Sequence, residues 1–116
     1  MGDIAELTES ILKFRDEREW KQFHTPRNLA TALSIEAAEL QELFLWDGEG
    51  EESSRSGTRK ESSEIADILI YALLFCHETG IDPREAVRRK LEKNRQRYPV
   101  EKARGRSTKY TEFDED

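Results

Sequence analysis

Apolar residues in the first part of the chain recur at three- and four-residue steps: Ile4, Leu7, Ile11 and Phe14 fall on one stripe, the spacing of a helix with one buried face. The pattern predicts a first helix over 4–19, with Asp3 and Glu6 spaced as a capping box at its start. Thr25 ahead of Pro26 predicts a second start, since proline's fixed φ and missing N–H suit the first helical position. From there Leu29, Leu33, Ala37, Leu40, Leu43 and Phe44 lead to Trp46, a helix of about 21 residues and roughly 31 Å, ended by Asp47-Gly48. Residues 47–58 hold Gly, Ser and acids with no large apolar side chain and read as a surface loop. Thr58 with Glu61 forms a further capping box. Ile65, Ile68, Leu69, Ala72, Leu73 and Cys76 then make a stripe, and Ile70, Tyr71, Leu74 and Phe75 fill the other sides. Gly80 closes this third helix, and Asp82-Pro83 with Glu85 opens a fourth that ends near Tyr98-Pro99.

No segment alternates with the period of a strand. The expected fold class is therefore all-α: a four-helix bundle with an extended C-terminal tail. It forms a single domain over 1–116, with its core in 4–98, the loop at 47–58 and the tail at 99–116. Tyr110 and Phe113 are the tail's large anchors, so the tail is ordered only if docked. The third helix is apolar nearly all round, and a chain of 116 residues has few neighbours to cover it. A subunit interface is the expected cover. Apolar content of 35% against 38% charged points the same way, because a lone globule would be short of core material.

Nineteen Lys and Arg against 25 Asp and Glu leave a net charge of −6, which gives no general phosphate-attracting surface and argues against stable nucleic-acid binding. The apolar run from Ile65 to Cys76 is broken by Asp67 and is too short for a bilayer span of about 20 residues, so no membrane association is expected. The single thiol, Cys76, excludes an intramolecular disulfide framework and fits a reducing compartment. The N-terminus lacks the features of a signal peptide, and a cytoplasmic location is the expectation.

The chemistry lies in two acidic pairs. Glu36-Ala37-Ala38-Glu39 and Glu64-Ile65-Ala66-Asp67 each place two carboxylates at i, i+3 on one helix face. Asp67 sits in an apolar stretch, where an unpaired charge costs several kcal/mol, so it needs a cationic partner. Ala37, Ala38 and Ala66 are small enough to let the helices approach and bring four carboxylates around one volume. Hard oxygen ligands of this kind select Mg²⁺ or Mn²⁺ over zinc. Di-iron chemistry is disfavoured, because neither His24 nor His77 has a Glu three residues before it. On the fourth helix Lys90, Asn94 and Arg97 share one face, ended by Tyr98, and can serve one anionic ligand. Trp20, Phe23, His24, Trp46 and Tyr71, near helix ends, are the candidates for a flat apolar slot.

The segments FHTPRNLATALSIEAAELQELFLW, SSEIADILIYALLFC and KLEKNRQRYPVEKARGRSTKYTEF resemble the MazG-like all-α nucleotide pyrophosphohydrolases, closest to the dCTP pyrophosphatase branch. The resemblance runs from Phe14 to Phe113. It implies hydrolysis of a nucleoside triphosphate to monophosphate and pyrophosphate, with Glu36, Glu39, Glu64 and Asp67 holding Mg²⁺ and with Glu36 or Glu39 orienting the attacking water. It further implies that Lys90 and Asn94 contact phosphates and sugar and that Trp20 and Trp46 line the base pocket. The implied assembly is a homo-oligomer, dimer or tetramer. Ile11 stands where animal members of the branch carry a His. Expected substrates are dCTP or a modified cytosine nucleotide; the alternatives are another nucleotide such as dUTP or a damaged purine triphosphate, and, outside enzymes, a helical interaction module.

Overall fold

A computed structural model of the chain describes residues 2–45 and 59–115. The expected Trp46, the 47–58 loop and the Thr58 cap lie outside the described residues. The chain divides into two compact units, Met1–Ile81 and Asp82–Asp116. Every described regular element is helical, as the sequence periodicity requires.

The first unit holds α1 (Asp3–Glu17), α2 (Pro26–Glu42) and α3 (Arg59–Thr79), with a 3₁₀ turn at Lys21–Phe23 between the first two. The Asp3 capping box does not form: Gly2 is the N-cap and gives no side-chain bond, while Asp3 is already helical. Asp3 in the first turn still complements the helix dipole. α2 opens as its sequence dictates. The Thr25 hydroxyl accepts from the Asn28 N–H at 3.1 Å, with Pro26 at the first helical position. The α-helix gives way earlier than expected, at Glu42, to turn geometry over 43–45, where Leu43 and Phe44 donate to carbonyls three residues back. α3 ends in a Schellman motif: Gly80, at φ 72°, donates to His77 O at 3.3 Å and Ile81 to Cys76 O at 2.9 Å.

α3 packs mainly against α2 and also against α1. Leu29 and Leu74 are the buried apolar residues of this unit among those described. Ala37, Ala38 and Ala66 do not mediate the approach of α2 to α3; all three are exposed. At 100° per residue, Ala37 and Ala38 rotate away from the face that carries Glu36, Glu39 and Leu40. Ala66 instead borders an apolar groove of about 460 Å³ lined by Leu7, Phe14, Leu69 and Leu73. Leu7, Phe14 and Leu69 are each at least half exposed, so α1 and α3 present an uncovered apolar face.

The second unit contains α4 (Pro83–Arg97), α5 (Val100–Ala103) and a 3₁₀ segment, Tyr110–Glu115. The Asp82 carboxylate caps α4 by accepting from the Arg84 and Glu85 N–H groups at 3.0 and 3.4 Å. The tail docks through the anchors the sequence offers. Tyr98 meets Tyr110 and Phe113 edge to face, with ring centroids 5.7 and 5.6 Å apart, and Arg97 and Arg106 lie over the Tyr110 and Phe113 rings.

Candidate active site

Glu36 on α2 and Glu64 and Asp67 on α3 offer carboxylate oxygens that lie within 4.8 Å of one another. Glu39, one helical turn after Glu36, stands outside this close trio but is hydrogen-bonded to it. The two acidic pairs predicted from spacing thus converge. Their electrostatics are unfavourable as they stand. The Glu36 carboxyl is pushed up to about 7, first by donating a hydrogen bond to Glu39, then by burial, then by the negative charges of Glu39, Asp67 and Glu64. Glu64 is also raised, chiefly by burial and then by the Glu39 charge. Glu36 Oε2 and Glu64 Oε2 are buried without a hydrogen-bond partner. Among the described residues, no Lys or Arg forms an ion pair with any of the four acids. Orphaned hard oxygens converging without a protein cation fit a divalent metal ion, which is the partner Asp67 was expected to need.

A cavity of about 250 Å³ opens beside this cluster. Its wall combines Glu36 and Asp67 with Ile11, Phe14, Arg15, Trp20, His24, Ile70, Tyr71 and Leu74. Trp20, His24 and Tyr71, each expected to touch a base, therefore share one space with two of the four acids. Local backbone chemistry explains how the aromatic side of the wall is set. Just past the end of α1, Glu19 stands at φ 55°, a left-handed conformation that costs a non-glycine residue roughly 1–2 kcal/mol. There Glu19 donates to Asp16 O and Trp20 to Arg15 O, both at 3.1 Å, turning the chain back so that Trp20 packs edge to face on Phe14 at 5.7 Å. Arg18 lies over the same Phe14 ring, its guanidinium carbon 3.7 Å from the centroid. The Asn28 side chain donates to Phe23 O at 3.0 Å and ties the 3₁₀ turn to the start of α2, with His24 between them. His24 is held below the usual histidine range by burial and then by the nearby Arg15 cation, with Glu78 opposing.

Arg15 is the residue that sequence reasoning missed. It is 4% exposed, the buried charged residue of the described chain. Its guanidinium donates to Glu78 Oε1 at 2.6 Å and to Asp16 Oδ1 at 2.9 Å. The available signal was its place one turn after Ile11, on the inward stripe of α1. Lys90, Asn94, Arg97 and Tyr98 sit on α4 and at its end, in the second unit; Lys90 is exposed, and Arg97 and Tyr98 belong to the aromatic cluster that docks the tail.

The fold and site define an all-α protein with an acidic cluster able to hold a metal ion beside an aromatic cavity. The MazG-like family pattern matches residues 31–113, and the chain belongs to this family. Among its relatives, dCTP pyrophosphatase 1 of Rattus norvegicus is 42% identical over 105 residues, 87% of this chain and 62% of that protein. The Homo sapiens dCTP pyrophosphatase 1 gives the same identity and coverage. The chain thus spans about three-fifths of the length of these relatives. A solved pyrophosphatase from Archaeoglobus fulgidus is 45% identical with a TM-score of 0.79, covering 85% of this chain and 94% of that one.

Proposed function

We propose that the chain is a Mg²⁺-dependent nucleoside triphosphate pyrophosphohydrolase, with Mn²⁺ as a substitute, acting on dCTP or a modified cytosine nucleotide in the cytoplasm. The observation that carries this reading is the convergence of Glu36, Glu64 and Asp67, with orphaned oxygens on Glu36 and Glu64, beside a cavity whose wall presents Glu36 and Asp67 together with Trp20, His24 and Tyr71. The activities named for the relatives point to the same reaction.

Glu36, Glu64 and Asp67 would hold the divalent cation. When bound, such an ion neutralises phosphate charge and lowers the pKa of water. The carboxylates alone repel a triphosphate, so cation and nucleotide bind together. Glu39 lies outside the close trio and hydrogen-bonds to Glu36; of the pair Glu36 and Glu39, we assign it to orienting the attacking water. Attack on the α-phosphorus breaks its bond to the α–β bridging oxygen, and pyrophosphate leaves with that oxygen. Trp20 and Tyr71 provide flat surfaces for the base, and Trp46 is assigned the same role from the family resemblance. Lys90, Asn94, Arg97 and Tyr98 are assigned to phosphates and sugar on the same ground. A second copy of the chain covers the apolar face of α1 and α3, making the enzyme a homo-oligomer, dimer or tetramer.

The test is incubation with Mg²⁺ and a panel of nucleoside triphosphates, with pyrophosphate and orthophosphate read separately. Pyrophosphate released fastest from dCTP is expected. Faster release from dUTP or a purine nucleotide would reassign the substrate, and orthophosphate alone would refute the reaction. Light scattering at micromolar concentration is expected to give a multiple of 13.6 kDa.

A further inference from the structure

Arg15 has two fixed carboxylate partners and yet lines the cavity. A guanidinium carries five N–H donors. Nε–H is used by Asp16 and one NH1 hydrogen by Glu78, and no other hydrogen bond of this group exists among the described residues. Three donors of a clamped, buried cation are therefore left over. The rest of the wall is aromatic or aliphatic apart from His24, the two acids assigned to the metal, and the polar tips of Trp20 and Tyr71. Ile11, one turn earlier on the same helix face, contributes no polar group. His24 Nδ1, on the same wall, is buried with no partner. Besides the Trp20 N–H and the Tyr71 hydroxyl, a ligand entering this cavity meets one clamped donor fork and one unused imidazole nitrogen.

On the reading of this cavity as a nucleotide site, we propose that Arg15, braced by Glu78, is the specificity-determining residue that selects cytosine over uracil and thymine. Cytosine presents two adjacent acceptors, N3 and O2, on its pairing edge and a donor, the exocyclic amino group, beside them. The fork of Arg15 matches the two acceptors, and His24 Nδ1 offers an acceptor to the amino group. Uracil and thymine place an N3–H donor where the fork needs an acceptor, leaving two donors opposed and one buried donor unpaired. A bidentate guanidinium contact to a base discriminates by about 1–3 kcal/mol elsewhere, on the order of tenfold or more. Glu78 and Asp16 act through Arg15 as positioning residues, because they fix its plane before the base arrives.

The test is titration of dCMP and dUMP into the full chain, followed by quenching of tryptophan fluorescence, which Trp20 in the cavity wall reports. Two variants separate reading from bracing. Arg15→Lys keeps a cation for Glu78 but loses the planar fork. Arg15→Met with Glu78→Gln removes both charges and leaves neither one buried alone. The wild type is expected to bind dCMP about tenfold or more tightly than dUMP, and that ratio is expected to fall toward one in both variants while the cooperative melting transition persists. An unchanged ratio in both variants would overturn the proposal and leave Arg15 and Glu78 a structural strut. A wild type that prefers dCMP but releases no pyrophosphate from any triphosphate would defeat the hydrolase reading while supporting this one.

Discussion

Two groups of charged side chains reach the same cavity, one through Arg15 and the other through Glu36 and Asp67, and are treated oppositely by the fold. On one side Arg15 is buried but compensated, with carboxylates at 2.6 and 2.9 Å. On the other, Glu36, Glu39, Glu64 and Asp67 are crowded together with no Lys or Arg ion-paired to them among the described residues, and Glu36 is pushed up to about 7. Among the described residues, the buried guanidinium is paired with Glu78 and Asp16 and not with the acid group. The difference teaches that the acids are kept for a partner from outside, whereas the guanidinium is neutralised internally and held still.

The largest effect should come from removing one member of the acid group. Asp67→Asn is expected to lower Mg²⁺-dependent pyrophosphate release by at least about a hundredfold, more than the loss of a supporting residue around a metal. The fold should survive, because like-charge repulsion is relieved rather than created, and circular dichroism should show unchanged helicity. Retained activity in this variant would remove the asymmetry between the two groups.

Breaking the compensated group tests the other half. Glu78→Ala leaves the Arg15 charge buried beside Asp16 alone, and truncating one partner of a buried pair is strongly destabilising. Because Glu78 itself is one-fifth exposed, a loss of about 1–3 kcal/mol in urea unfolding is expected.

The third prediction concerns pH and metal. Between the ordinary glutamate value of 4.5 and about 7, the folded protein keeps a proton on Glu36 that the unfolded chain has released. With fewer protons bound in the unfolded state, stability falls as pH rises through that window. Glu64, raised by burial, adds in the same direction. Metal-free protein should therefore melt lower at pH 8 than at pH 5, and Mg²⁺ or Mn²⁺ should raise the transition more at pH 8. A melting temperature that climbs with pH in chelator would contradict this.

The smallest effect belongs to the scaffold that presents the wall. Thr25→Ala removes the N-cap of α2 and should cost about 1 kcal/mol in thermal unfolding, with cation binding unchanged because α2 is otherwise intact.

The helices themselves were legible in the chain, since a 3.6-residue period and the starts at Thr25-Pro26 and Asp82-Pro83 are local signals that tertiary packing did not override. Convergence of the acidic pairs was also readable, because i, i+3 spacing fixes a face and α2 packs on α3. The alanines between the acids misled for the same geometric reason: a face that aims Glu36 and Glu39 inward turns Ala37 and Ala38 outward. Arg15 was hidden by its type. A charged residue near a helix end reads as solvated, and its burial depends on Glu78, 63 residues away, a long-range contact with no local trace. The Glu19 turn was hidden too, because nothing in a glutamate announces a left-handed backbone.

The most direct measurement is titration of Mn²⁺ into metal-free protein at neutral pH, with free Mn²⁺ read by electron paramagnetic resonance, for the wild type and for Glu36→Gln with Asp67→Asn. Tight, saturable binding by the wild type, weakened at least about a hundredfold in the double variant, is the predicted result. Equal binding by the two proteins, or none by either, would contradict the claim that these carboxylates converge to hold a cation.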